Sequence, residues 1–448
     1  MDKKEEIKKQ IFELTSDYFK LAHAPKEFVK GLSAVPVSGK SFDEKELQLI
    51  VESALDGWFT TGRFNREFEI RLAEYIGVKK LLTVNSGSSA NLLAFAALAS
   101  PSLGERAIKP GDEVITVAAS FPTTINPILI YGAVPVFVDI DIPTYNIDVS
   151  KIEAAITDKT KAVIVAHTLG NPFDLEKIME LSQKYNLWVI EDCCDALGSR
   201  YNNQHVGTFG HIATLSFYPA HHITTGEGGA VFTNDNKIKK IVESIRDWGR
   251  DCWCEPGCDN TCGKRFDWQL GDLPAGYDHK YIYSQLGYNL KITDMQAALG
   301  LAQLDKLPGF VEQRKQNFKL LYEGLTKHSD KIILPEATEN SDPSWFGFLI
   351  TLKKDAGISR NEIVDRLNKA KIGTRLLFAG DVRKQPYFKN YYSGDVNRLP
   401  NTDMVLNNTF WIGLAPIVAN DMIEYIIESF DSILSTKENK IYDQPILN

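Results

Sequence analysis

At 448 residues, with 44% hydrophobic and 24% charged residues, the chain has the make-up of a soluble globular protein with room for two or three domains. A formal net charge of −8 and the lack of any Lys/Arg-rich face or tail exclude a nucleic-acid surface, whereas a phosphorylated small molecule needs only a few local cations. No run of 18 uncharged apolar residues occurs and the N-terminal MDKKEEIKKQIFEL has no apolar h-region, so a cytoplasmic protein without membrane segments is expected.

The first 50 residues read as an N-terminal helical arm. From about residue 78, short β-branched apolar runs alternate with amphipathic helical segments. KKLLTV precedes SANLLAFAALAS, DEVITV precedes TTINPILIYG, and VPVFVDI is followed across a turn by KIEAAI. KAVIVAH then leads to DLEKIMELSQKYN and LWVIEDC. This order predicts an α/β domain over residues 51–300, built on a mostly parallel sheet covered on both faces, with ligands at the carboxyl ends of the strands. Three such ends carry polar residues: NSGSS, ASFPTT and EDCCD. A cysteine-rich insertion fills residues 251–290, and DMQAALGLAQLDKL opens a helical pattern running to about Leu325. Over residues 301–448, KIILP, WFGFLITLK, SRNEIVDRLNKA and DMIEYIIESFDSIL predict a smaller α+β domain, with NYYSGDVNRLPNTD as a surface loop.

NSGSSAN, from Asn85 to Asn91, sets glycine and hydroxyl residues at a strand-to-helix junction, where backbone amides and the helix dipole suit an anion or simply cap the helix. Asp192 ends a buried strand and needs a cation, either a protonated pyridine nitrogen or an arginine or helix terminus. SFYPAHHITTGEGG, from Ser216 to Gly229, has the small residues and glycine-rich exit of a phosphate-cofactor loop, but holds His221 and His222 where such a loop usually carries a lysine.

Six cysteines are too few for a disulfide scaffold, and their clustering in a reducing compartment points to metal. Cys252, Cys254, Cys258 and Cys262 form one self-sufficient local set; a second candidate set replaces Cys258 by Cys194, which lies two residues beyond Asp192. Zinc and a 2Fe-2S cluster are the rival occupants, and only the cluster carries electrons.

The combination NSGSSA, SFPTTIN, EDCCDALGS, SFYPAHHITTGEGG and LGYNLKITDMQAALGLAQL, in this order, resembles the nucleotide-sugar aminotransferase and dehydratase branch of the fold type I pyridoxal-phosphate enzymes. The likeness covers about residues 35 to 435. It implies a mostly parallel seven-stranded sheet with a smaller C-terminal domain. It further implies that Gly87, Ser88 and Ser216 hold the cofactor phosphate, joined by Asn289 from the other subunit of an obligate homodimer. Phe121 would stack on the ring, Asp192 would pair with its nitrogen, and Asp195 replaces a glutamine usually near the ring hydroxyl.

Family members that transaminate have lysine at the position of His221, five residues after the equivalent of Ser216. Imidazole cannot form the covalent link that an amine forms with pyridoxal phosphate, so the resting cofactor is expected to be free pyridoxamine phosphate (PMP). Histidine titrates near neutral pH and suits the general base that removes a cofactor proton, then the acid that assists loss of a sugar hydroxyl. His222 is the weaker candidate. The spacing of Cys194, Cys252, Cys254 and Cys262 matches members of this family that combine PMP with a 2Fe-2S cluster, which leaves Cys193 and Cys258 as bystanders. Those members imply reductive C3 deoxygenation of a CDP-linked 4-keto-6-deoxyhexose for O-antigen dideoxysugars, with electrons from an NADH-dependent flavin and iron-sulfur reductase. The alternative is a PMP dehydratase regenerated by glutamate, with structural zinc.

Overall fold

The computed structural model describes residues 2–435, except 25, 253, 255, 256, 262 and 393–396. Three helices come first, α1 (Lys3–Ala22), α2 (Glu44–Leu55) and α3 (Arg63–Ile76). The alternating segment follows as β1 (Lys80–Val84), α4 (Gly87–Leu98), β2 (Glu113–Val117), α5 (Pro122–Ile130), β3 (Val134–Val138), β4 (Thr160–Ala166), α6 (Leu175–Tyr185) and β5 (Trp188–Asp192). A short hairpin, β6 (Arg200–Tyr201) and β7 (Gln204–His205), leads to β8 (Ile212–Ser216), β9 (Gly229–Thr233) and α7 (Asn236–Arg246).

These strands form a seven-stranded sheet in the order β1-β9-β8-β5-β4-β2-β3. Only β9 runs antiparallel to its neighbours, so the expected mostly parallel α/β sheet is present. Its strands are apolar without alternation because helices cover both faces: β5, β8 and β9 are buried at every residue. Two apolar clusters flank the sheet, one built on Phe68, Val165 and Phe217 and the other on Phe95, Ile164 and Ile190.

The 32-residue α8 (Asp294–Leu325) starts at a capping box made by Thr293 and Gln296. Its first residue ties it to the N-terminal helices, because the Asp294 carboxylate accepts from the backbone N–H groups of Gly62, Phe64 and Asn65 at the start of α3. After α8 come β10 (Ile332–Ile333), β11 (Ser341–Asp342), β12 (Gly347–Leu352), α9 (Arg360–Lys369), β13 (Thr374–Arg375), α10 (Pro400–Asn408), β14 (Thr409–Gly413) and α11 (Asn420–Ser435). β10-β12-β14-β13 make an antiparallel sheet over a third apolar cluster. β11 instead pairs with β6, joining the C-terminal elements to the segment that follows β5.

Two segments differ from expectation. KIEAAI forms two 3₁₀ turns, Val149–Lys151 and Glu153–Ala155, because so short a segment does not repay α-helix nucleation. The presumed surface loop contains the start of α10, where Pro400 enters with its φ already preset; part of that loop lies outside the described residues. No helix among the described residues is long and apolar enough to cross a membrane.

Glu191, fully buried one residue before the end of β5, braces the loop between the hairpin and β8. Its carboxylate accepts from Gly207 N (2.6 Å), Phe209 N (3.0 Å) and Gly210 N (2.5 Å). His167 Nε2 lies 3.2 Å away, and Phe173 N donates to His167 Nδ1, which assigns the imidazole proton to Nε2. Glu191→Gln sets an amide N–H against these donors and is expected to lower stability by about 3 kcal/mol, read from the urea midpoint at unchanged slope.

Candidate active site

The carboxyl ends of β1, β5 and β8 converge on one pocket floor. Gly87 begins α4 behind the N-cap Ser86, whose Oγ accepts from Ser89 N (3.0 Å). A Cβ on Gly87 would lie 2.5 Å from Ser216 Cβ and 3.1 Å from Cys194 Sγ, so only glycine lets the helix N-terminus approach β5 and β8 this closely. Ser88 is exposed in the first helical turn, and Ser216 is buried beside it with Oγ 3.4 Å from Tyr218 N. Unpaired amides at a helix start, flanked by hydroxyls, make an anion cradle.

Asp192 sits beyond this cradle at 4% exposure. Its Oδ2 accepts from Asn91 Nδ2 (2.8 Å) and Thr124 Oγ1 (2.7 Å), and its Oδ1 accepts from Cys194 N (3.1 Å). Thr214 Oγ1 donates to Asn91 Oδ1 (2.7 Å) and lies 3.4 Å from Asp192 Oδ1. Neutral donors orient the carboxylate, and among the described residues it has no ion-pair partner. The arginine alternative is therefore absent from the described residues, and the charge stays available to a cationic ligand atom. Asn91 and Thr124 were inside the motifs read from sequence but carried no assigned role. Asn91 lies one helical turn beyond Gly87, the spacing that puts both on one face of α4.

Phe121 precedes α5 and is 51% exposed, its ring edge-on to Phe378 at 6.3 Å. It is free to cover a planar ligand. His221 Nδ1 lies 3.2 Å from Asp195 Oδ1, within ion-pair range but not aligned as a hydrogen bond. His222 turns to different partners: its Nε2 meets Ser344 Oγ (2.9 Å) and Ser344 O (3.3 Å). Burial, helped by the Arg314 cation, holds His222 well below the usual imidazole range. The two adjacent histidines are thus chemically distinct, one beside a carboxylate and one a neutral packing group. Asn289 is exposed and pairs through its backbone with Asp247.

The cysteines divide. Cys193 is buried in the core against Glu191 O (3.7 Å), and Cys194 Sγ borders the pocket floor at Gly87. Burial, with Asp192 and Asp195 nearby, pushes the Cys194 thiol well up. Burial, with the neighbouring Cys254 thiol, raises the Cys252 pKa, and Cys254 Sγ accepts from Thr261 Oγ1 (3.0 Å). Cys254 and Cys258 line a cavity of about 440 Å³ together with Trp58, Glu69 and Arg246. Cys262 lies outside the described residues. Among the described residues, the one group of three metal-capable side chains within 4.8 Å is His167, Glu191 and Cys193. The hydrogen bonds of the imidazole and carboxylate make that group a structural brace. Cys194, Cys252 and Cys254 are not gathered to that distance.

Comparison with known proteins gives concordant results. A family model for the DegT/DnrJ/EryC1/StrS aminotransferases matches residues 40–431. The chain is 63% identical over 425 residues to the lipopolysaccharide biosynthesis protein RfbH of Salmonella typhimurium, spanning 95% of this chain and 97% of that one. It is 50% identical to the dTDP-4-dehydro-2,6-dideoxy-D-glucose 3-dehydratase of Saccharopolyspora spinosa, over 95% of this chain and 91% of the relative. The solved structure of Escherichia coli GDP-4-keto-6-deoxy-D-mannose-3-dehydratase with bound hydrated PLP superposes with a TM-score of 0.80 at 32% identity, covering 88% of this chain and 98% of the other. By sequence and by fold, the chain belongs to the DegT/DnrJ/EryC1/StrS aminotransferase family.

Proposed function

We propose that this protein is a PMP-dependent nucleotide-sugar 3-dehydratase that acts in reductive C3 deoxygenation, within lipopolysaccharide O-antigen deoxysugar synthesis. The observation that carries the reading is His221 beside the Asp195 carboxylate, at the position where a transaminating relative would have lysine. The cofactor fits the pocket: a cradle that a Cβ would fill, an exposed aromatic ring, and a buried carboxylate without a cationic partner among the described residues. The chemistry the bound cofactor supplies is an amine for the sugar ketone and an electron-accepting ring.

The chain's residues divide the remaining work. Gly87, Ser88 and Ser216 would hold the phosphate, Phe121 would cover the ring face, and Asp192 would keep the ring nitrogen protonated. His221 would serve as the base and then as the acid for the departing C3 hydroxyl, with the Asp195 carboxylate 3.2 Å away to favour its protonated form between the two roles. Asn289, which is exposed, would reach the phosphate of the other protomer in a homodimer.

A 2Fe-2S cluster would supply single-electron transfer from an NADH-dependent flavin and iron-sulfur reductase. Cys194, Cys252, Cys254 and Cys262 are its proposed ligands, and soft thiolates suit iron and sulfide. The contacts among Cys252, Cys254 and Thr261 fit a shared centre on the insertion. The substrate is read as CDP-4-dehydro-6-deoxy-D-glucose and the compartment as the cytoplasm. A second reading is favoured by the separation of Cys194 from Cys252 and Cys254. In it, structural zinc sits on the insertion and glutamate regenerates the cofactor.

Elemental analysis of anaerobically purified protein, with its visible spectrum, tests the choice. Iron and acid-labile sulfide in equal amounts support the electron relay, and zinc without sulfide selects the second reading. Cys254→Ser is expected to remove most of the bound iron while PMP affinity stays within about two-fold, because the phosphate and ring contacts lie elsewhere. Unchanged iron content would strike Cys254 from the ligand set.

A further inference from the structure

Arg314 is the largest fully buried side chain of the described residues, at 1% exposure. It projects from α8, and a buried guanidinium without compensation is costly, so what it touches matters. No carboxylate among the described residues lies within ion-pair distance of it. Its Nη1 donates instead to two successive carbonyls, Trp345 O (3.3 Å) and Phe346 O (3.1 Å). Its Nε is buried with no hydrogen-bond partner.

The turn it holds, Ser344 to Phe346, is an unusual piece of backbone. Trp345 has φ +37°, the left-handed region that a bulky aromatic residue rarely occupies. The strain is held from several sides. Phe318, one helical turn beyond Arg314, stacks on the Trp345 ring at 3.9 Å and 3°. Phe346 N donates to Leu169 O (2.7 Å), and a Cβ on Gly170 would lie within 3.0 Å of Trp345 N, Phe346 N and Asp195 O. Gly170 is therefore wedged between the turn and the backbone of Asp195. The turn's side chains meet both histidines: Ser344 holds His222, and the Phe346 ring tilts against His221 at 5.3 Å and 41°.

We propose that Arg314 is a positioning residue for His221, acting through the Ser344–Phe346 turn that backs the histidine pair. The inference rests on the reading of His221 as the residue that handles the proton. The two N–H bonds of Nη1 hold two adjacent carbonyls in register, so the ring of Phe346 meets His221 in one arrangement. Burial lowers the Arg314 pKa to about 10, so it stays protonated at neutral pH, and the Asp195 charge favours that state. Because α8 carries it, the elements after the large sheet contribute to the placement of a side chain on the large sheet's own loop.

The test uses full-length protein labelled with ¹³C at histidine Cε1. The chain has eight histidines, and His221→Asn assigns the relevant signal. In Arg314→Met the turn relaxes and the His221 signal is expected to move, since the Phe346 ring current changes with ring position, while the six histidines outside the pair report an intact fold. Turnover is expected to fall at least about ten-fold with the sugar-nucleotide KM within about two-fold, the split expected of misplaced chemistry. Arg314→Lys retains the cation but not the fixed, planar placement of the Nη1 donor, and is expected to restore part of both the signal position and kcat. If Arg314→Met does not fold, the lysine variant alone decides: a wild-type His221 signal and wild-type kcat overturn the proposal. A moved signal with unchanged turnover supports the positioning and instead overturns His221 as the base. An unmoved signal with reduced kcat overturns the positioning role.

Discussion

His221→Lys is expected to abolish dehydration and to tie pyridoxal phosphate covalently to the chain. The substituted side chain starts from a loop anchored by Ser216, Tyr218 and the buried His222, so on the proposed reading of His221 its amine would reach the cofactor. An amine there captures the cofactor aldehyde, and a lysine at ordinary pKa is protonated where a neutral imidazole would act as base. General acid–base groups contribute roughly 10²- to 10⁴-fold, so loss of C3 hydroxyl release by about 10³-fold is expected. Two measurements check it: turnover of the sugar nucleotide, and the mass of borohydride-reduced protein, which should rise by one cofactor. Normal turnover would remove His221 from the chemistry.

The second large effect belongs to Asp192. Asp192→Asn keeps the shape and can still accept from Asn91 and Thr124, but it presents no negative charge to a ring nitrogen. Turnover is expected to fall about 10²-fold and the cofactor dissociation constant to rise about ten-fold, because a buried charge pair loses one partner only when ligand is bound. In the cofactor-free protein the same change removes a buried carboxylate that has no ion-pair partner among the described residues. The new amide also sets an N–H against the Cys194 N–H that Oδ1 accepts, one donor where Glu191→Gln opposes several, so the unfolding free energy is expected to fall by only about 1–2 kcal/mol. A large loss of apoprotein stability with intact cofactor affinity would make Asp192 a structural residue.

Much of the α/β part was legible because its strands are buried on both faces and therefore read as unbroken apolar runs. LLTV, VITV, VFV and LWVIED each became a strand of the large sheet, and the amphipathic DLEKIMELSQKY became α6. Strand order was not legible: β1 and β2, the first two strands in the chain, end up with four others between them. The same limit applied to the site. NSGSSAN, SFPTTIN and EDCCD were recognisable as polar strand ends. That Asn91, Thr124 and Thr214 would close around Asp192 depends on three separate connections folding back to one edge. Asp195 and His221 show the same thing, since 26 positions separate them in the chain and 3.2 Å in space.

His222 and Arg314 mark the boundary most clearly. Sequence spacing from Ser216 singled out His221 and left His222 the weaker candidate, but nothing local to SFYPAHH predicts that the second imidazole faces Ser344. Arg314, given no role from sequence, is buried against Trp345 and Phe346. Local composition and periodicity determined which segments became strands and helices and which of their ends were polar, because propensity and burial act over a few neighbouring residues. The tertiary structure alone decided which histidine meets a carboxylate, which thiols stand together, and which buried charge is left for a ligand. Those are contacts between residues far apart in the chain, set by the packing of the C-terminal elements and α8 against the large sheet.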